Sequence, residues 1–196
     1  MNAEGRMLIV GIGGTTRPGS SSEAALRTAL QPAAAAGAEV RCFGAADLDL
    51  AMYDPTTPER SPAAARLVEA IRHADGLVLS SPGYHGTVSG LVKNALDHVE
   101  DLRDASPPYL DGRAVGCIGV GYGWQGAVNT VQTLRSIVHA LRGWPTPYGA
   151  AVNAADGGFT DGVCDHPALV SQLHLLGTQV VQFAGAMRAP SDALTA

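Results

Sequence analysis

Gly76-Leu77-Val78-Leu79-Ser80-Ser81-Pro82-Gly83-Tyr84-His85-Gly86-Thr87-Val88-Ser89-Gly90-Leu91-Val92-Lys93-Asn94-Ala95-Leu96-Asp97 runs from an unbroken apolar stretch, through a Pro/Gly/Tyr loop, into a helical pattern. A short apolar run without polar alternation reads as a strand buried on both faces. A buried strand that opens through such a loop into a helix is how open α/β sheets build ligand crevices at the carboxyl ends of their strands. The same grammar stands near the N-terminus. There Met7-Leu8-Ile9-Val10 leads into Gly13-Gly14-Thr15-Thr16-Arg17-Pro18-Gly19-Ser20-Ser21-Ser22.

Working outward, strand-length apolar runs alternate with longer helical patterns. Strands are expected over Met7 to Ile12, Glu39 to Phe43, Gly76 to Ser80, Ala114 to Val120 and Pro147 to Val152. Helices are expected over Glu23 to Ala36, Ala63 to His73, Val88 to Asp101, Ala127 to Leu141 and Pro167 to Met187. Serines before the first helix are N-cap candidates, Gly37 ends it, and Gly177 and Gly185 weaken the last. Trp144-Pro145-Thr146-Pro147-Tyr148 reads as a rigid connector. The β-α-β-α order predicts an α/β fold, a parallel sheet with helices on both faces and right-handed crossovers. Five strands suit the order 2-1-3-4-5 better than a six-stranded dinucleotide fold. No repeat, linker or second domain is visible, so 1–196 is expected to be one domain, with 1–6 and 189–196 as flexible ends.

Composition narrows the function. The chain has 196 residues, is 46% hydrophobic and carries a net charge of -5. That supports one sizeable core, and the absence of a basic run argues against nucleic acid or an anionic membrane surface as partner. No apolar stretch approaches the roughly 20 residues of a membrane span, and the start lacks a signal-peptide core. Cys42, Cys117 and Cys164 are scattered and odd in number, as expected of reduced cytoplasmic thiols. The histidines have no ligand-like spacing, so no metal site is expected.

Three loops carry the chemistry. The first combines glycines that let the backbone approach a ligand, hydroxyls at Thr15, Ser20, Ser21 and Ser22, the Arg17 guanidinium and a helix start that favours an anion. It is neither a Walker loop nor Gly-x-Gly-x-x-Gly, and its alternative reading is a capped Gly/Ser turn. The second loop, Pro82 to Gly86, offers an apolar and aromatic wall plus backbone donors for a flat ring. His85 there reads either as a ligand contact or as a loop histidine bonded to backbone. The third, Gly119-Val120-Gly121-Tyr122-Gly123-Trp124-Gln125-Gly126, follows the fourth strand and neighbours the second. Trp124, with His85, is a candidate for the substrate mouth, and packing is the alternative for Tyr122 and Trp124. Lys93, Asn94 and Asp97 read as a polar helix face that fixes a loop or a subunit contact. A phosphate cradle beside a ring shelf points to a flavin mononucleotide. No residue of these loops is singled out as a general base.

These loops resemble those of the NAD(P)H-dependent FMN reductases of the flavodoxin-like superfamily. That family reads Gly-Ser-x-Arg-x-x-Ser-x-Ser after the first strand, where this chain has Gly14-Thr15-Thr16-Arg17-Pro18-Gly19-Ser20-Ser21-Ser22. Pro82, Tyr84, Gly90, Lys93, Asn94, Leu96 and Asp97 match the family's second motif, with Val92 at its Leu position. The resemblance runs from about Met7 to about Phe183. It implies a flavodoxin-like three-layer sandwich, FMN as cofactor and NADH or NADPH as hydride donor. It also implies Thr15, Arg17, Ser20 and Ser22 on the phosphate, Pro82, Gly83, Tyr84, His85 and Gly86 along the isoalloxazine, and Gly121, Tyr122 and Gly123 at the ring. A cytoplasmic homodimer or homotetramer is implied, with free flavin or a quinone as acceptor and a flavin-dependent monooxygenase as a partner supplied with reduced flavin. Gly83 and His85 stand where many relatives carry an acidic residue and Asn, which leaves the acceptor open. The rival readings are a quinone, azo or specialised-metabolite reductase with tightly bound FMN, a non-enzymatic flavodoxin-like electron carrier, and a fold that has lost FMN.

Overall fold

The computed structural model describes residues 5–188. The outermost residues of both expected flexible ends, 1–4 and 189–196, lie outside the described residues. Strands β1 (Leu8–Gly13), β2 (Glu39–Phe43), β3 (Gly76–Pro82) and β4 (Ala114–Gly121) form a parallel sheet in the order β2-β1-β3-β4. The fifth position is shared by two short strands, β5 (Trp144–Pro145) and β6 (Ala150–Asn153), both parallel to β4. This is the flavodoxin-like order expected from the sequence. The break within the fifth position corrects the expected Pro147–Val152 strand, and the supposed connector Trp144-Pro145 is its first half. Proline carries no N–H for the ladder, so Pro145 and Pro147 cannot sit in one continuous paired strand. Thr146 sits between them, its amide donating to Val115 O at 3.0 Å and its hydroxyl to Tyr148 O at 2.8 Å.

Helices α1 (Ser21–Ala35) and α5 (Pro167–Arg188) cover one face of the sheet. Helices α2 (Pro62–His73), α3 (Gly90–Asp97) and α4 (Trp124–Ala140) cover the other. The strands read as unbroken apolar runs because alternate residues feed both layers. Leu8, Val10 and Ile12 of β1 join the α2–α4 side, while Ile9 joins the α1–α5 side. Serine side chains set three helix starts: Ser20, Ser61 and Ser89 accept from the amides of Glu23, Ala64 and Val92. Helix α3 therefore starts two residues after Val88, and a 3-10 turn over His98–Leu102 replaces its expected last turn. A small antiparallel hairpin that the sequence reading did not anticipate, β7 (Phe159–Thr160) and β8 (Val163–Cys164), precedes α5.

Three polar residues of α3 settle into structural work. Lys93 pairs with Asp97 at 2.6 Å on the surface. Asn94 is buried and fixes the segment after β2 rather than the ring loop: its Oδ1 accepts from Tyr53 N at 2.8 Å, and its Nδ2 donates to Leu50 O and Ala51 O at 3.2 and 3.0 Å. Cys117 fills the core, and burial pushes its thiol up to about 12. Cys42 is only half-buried, and burial raises its thiol as well. Among the described residues, no helix is long and apolar enough to cross a membrane, and no cluster of His, Cys, Asp or Glu could hold a metal ion.

Candidate functional site

The carboxyl ends of β1, β3 and β4 open on a cleft of about 420 Å³, within the range of small-molecule sites. Three loops line it. The first, between β1 and α1, is tied to the second at its root: Gly14 N donates to Ser80 O at 3.3 Å, and Ser80 Oγ donates to Ser22 O at 2.8 Å. Thr15 turns the loop, its hydroxyl accepting from Arg17 N and donating to Arg17 O at 3.0 and 3.1 Å. Ser20 and Ser22 are buried, with their hydroxyl oxygens 3.2 Å apart. Arg17 is exposed at the cleft, and among the described residues its guanidinium has no partner. The amides of Ser21 and Ser22 belong to the first turn of α1, where a helix has no acceptor of its own to offer. Glu23 in that same turn would oppose an anion, but Arg27 pairs with it at 2.7 Å, and this hydrogen bond holds the Arg27 guanidinium above its ordinary value. The net result is a cationic, donor-rich end.

The second loop supplies the wall. Pro82 is buried, Tyr84 is half exposed, and Gly83 N donates to Val120 O at 2.7 Å, which holds this loop to β4. His85 and Gly86 do not line the cleft. They are the two central residues of a tight turn in which Thr87 N donates to Tyr84 O at 3.1 Å, with φ of 52° and 85°. Positive φ at both positions is the signature of a type I′ turn, and the His85 side chain is exposed. Replacing His85 with glycine is expected to leave flavin affinity within about twofold, because glycine adopts that conformation freely. His85→Val should lower stability by about 1–2 kcal/mol, the cost of a left-handed branched residue. Urea unfolding of both variants checks this.

The third loop closes the cleft. Gly121, Tyr122, Gly123, Gln125 and Gly126 line it, and α4 begins at Trp124, three residues earlier than expected. Gly123 caps that helix without a side chain, so the first-turn amides are free of any side-chain cap at the cleft edge. Tyr122 is 86% exposed at the mouth. Trp124 points elsewhere: it lines a neighbouring cavity of about 280 Å³ with Asn153, His166 and Gln172. Thr15, Arg17, Ser20, Ser22, Pro82, Gly83, Tyr84, Gly121, Tyr122 and Gly123 thus meet at one cleft, while His85, Gly86 and Trp124 lie off it. Gly126 and Ala154 line it without having been singled out. Gly126 falls in the expected loop, but Ala154, after β6, carries no chemical signal at all.

The donor set suits a phosphate at the Arg17 end, and Pro82, Tyr84 and Val120 suit a flat ring at the other. This fold is that of a flavodoxin-like α/β protein, with a donor-lined cleft at the carboxyl ends of its strands. The profile of the NADPH-dependent FMN reductases matches residues 7–157, and the chain belongs to that family. It is 32% identical over 129 residues to an FMN-dependent NADPH-azoreductase of Staphylococcus haemolyticus, a match covering 58% of this chain and 65% of that one. It is 34% identical over 109 residues to the enzyme of the same description from Staphylococcus aureus, covering 56% and 54%. The matches therefore span between about half and two thirds of those relatives. In structure, the flavoenzyme NAD(P)H:(acceptor) oxidoreductase FerB of Paracoccus denitrificans superposes with a TM-score of 0.71 at 18% identity, over 92% of this chain and 97% of that one. The apo form of an NADH:FMN oxidoreductase, EmoB, gives 0.69 at 21% identity, over 94% and 92%. Both share the fold.

Proposed function

We propose that this chain is an FMN-dependent oxidoreductase that takes hydride from NADPH or NADH and passes reducing equivalents to a flat aromatic acceptor of the azo or quinone class. One observation carries the reading: a single cleft brings the Arg17 guanidinium, which has no partner among the described residues, and the start of α1 to one end, and Pro82, Tyr84 and the Gly121–Gly126 loop to the other. In this reading Arg17 and the amides of Ser21 and Ser22 bind the phosphate. Thr15, Ser20 and Ser22 hold the loop in shape through the hydrogen bonds described above. Pro82 and Tyr84 wall the ring, and backbone donors of Gly121 to Gly123 orient it. When bound, FMN supplies the hydride chemistry, and the protein supplies orientation and electrostatics. The exposed Tyr122 at the mouth suits stacking of a flat acceptor, and the names of the two staphylococcal relatives support the azo class.

An anaerobic absorbance titration with FMN, then NADPH and NADH, tests this. Bleaching of the oxidised-flavin band by a nicotinamide, and its return on adding an azo dye or quinone, is the expected result. Flavin that binds but is reduced by neither nicotinamide would make the protein an electron carrier, and absence of FMN binding would overturn the reading of the cleft. Gel filtration of the same sample separates retained FMN from flavin released to serve a monooxygenase. It also reads the assembly state, for which a dimer or tetramer is expected.

A further inference from the structure

Gly19, in the loop between β1 and α1, is held from two sides. Its amide donates to Glu23 Oε2 at 3.0 Å, and the other oxygen of that carboxylate accepts from Arg27 Nη2 at 2.7 Å and Nε at 3.1 Å. On its other side lies the tip of the β7–β8 hairpin: a Cβ placed on Gly162 would stand 3.1 Å from Gly19 Cα and 3.5 Å from its carbonyl oxygen. That tip is a two-residue turn with φ of 50° at Asp161 and 77° at Gly162, the Asp-Gly pair such turns favour. The hairpin is closed by its own bonds, Thr160 Oγ1 to Asp165 Oδ2 at 2.5 Å and Asp165 N to Gly158 O at 3.0 Å, and it is anchored by buried Cys164, which packs in the α1–α5 core. It begins after residue 157 and so lies outside the segment that the family profile matches.

We propose that Glu23 and the Asp161–Gly162 tip are positioning elements for the flavin phosphate: together they hold Gly19, and through it the loop that carries Arg17, in the phosphate-binding form, and so set the preference for FMN over riboflavin. The proposal rests on the FMN reading above. The physical reason is preorganisation. A loop of glycines and hydroxyl residues has much freedom to lose when it binds, and an amide already held by a carboxylate and a backbone already braced by a hairpin lose less. The carboxylate–amide bond is charge-assisted, and the Arg27 pair keeps the carboxylate from facing the phosphate as a bare charge. The brace works only with glycine at 162. Any side chain there stands against Gly19 and must push the loop or the hairpin aside, on top of the strain of a left-handed backbone.

The test is a pair of titrations, FMN and riboflavin, each read by quenching of flavin fluorescence. They are run on the wild type, Gly162→Val, Glu23→Ala, Glu23→Gln and Arg17→Ala. Wild type is expected to prefer FMN, and Arg17→Ala to erase most of that preference. Gly162→Val and Glu23→Ala should each weaken FMN about tenfold while leaving riboflavin within about twofold, because only the phosphate end is disturbed. Glu23→Gln keeps an acceptor for the Gly19 amide and should recover most of the loss. Gly162→Ala, a milder change that leaves the Glu23–Arg27 pair in place, replaces Glu23→Ala if that variant does not fold, and should shift FMN in the same direction. Unchanged FMN affinity in the Gly162 variants, or equal weakening of FMN and riboflavin, overturns the proposal while loss of preference in Arg17→Ala leaves the FMN reading intact. Absence of any preference in the wild type overturns both.

Discussion

Arg17→Ala is expected to weaken FMN binding about 10- to 100-fold, the loss of a charge-assisted pair of hydrogen bonds to phosphate. Arg17 is exposed, lines the cleft and has no partner among the described residues, so its removal breaks no internal contact and leaves the fold alone. Riboflavin, which lacks the phosphate, should bind both proteins equally. Arg17→Lys should recover part of the affinity, since a lysine keeps the charge but not the planar fork. The difference between wild type and Arg17→Ala should also shrink at high salt, because an exposed charge is screened. Fluorescence quenching reads all of these. Equal FMN affinity in wild type and Arg17→Ala would mean that the first loop is a capped turn and nothing more.

Gly177→Ala is expected to destabilise the protein by about 1–3 kcal/mol, although the same change inside an ordinary helix stabilises by about 1 kcal/mol. The sign reverses because of a contact. A Cβ at position 177 would lie 1.9 Å from the carbonyl oxygen of Ala29 and 3.1 Å from its carbon, so α5 would have to move off α1. Backbone cannot yield as a flexible side chain can. The crossing is lined by Ala25, Ala29 and Ala33 of α1 and by Leu173, Leu176 and Val180 of α5, all buried, and separating the helices loosens that whole layer. In a chain of this size, each kcal/mol corresponds to about 2–4 °C in Tm. Urea unfolding together with calorimetry measures the effect, and a Gly177→Ala protein of raised stability would contradict the close crossing.

What could be read in advance follows from the range of the forces involved. Strands β1, β3 and β4 were legible because both of their faces are buried, which leaves an unbroken apolar run in the chain itself. The fifth strand was misjudged because its two pieces pair with β4 around prolines that look like loop residues, and only the partner strand shows that Trp144-Pro145 belongs to the sheet. The β7–β8 hairpin had its Asp161-Gly162 turn signal in plain view, but two-residue flanks give no periodicity to read. His85 was weighed as a ring contact because histidine chemistry is conspicuous. It sits in a turn at a positive φ, which composition does not reveal. Asn94 is legible as a polar helix residue, but the segment it holds is not the neighbouring ring loop and lies some forty residues back in the chain.

By itself the sequence determined the layered parallel architecture, the donor-rich make-up of the loops and the family, because helix caps, apolar runs and loop donors act over a few residues. Tertiary structure decided which of those loop residues meet. It left Arg17 at the cleft with no partner among the described residues, placed His85 and Trp124 off the cleft, brought Ala154 in, and set Gly162 against Gly19 and Gly177 against Ala29. Those outcomes depend on distances between segments far apart in the chain, which are set by how the two helical layers and the sheet pack and not by any local preference.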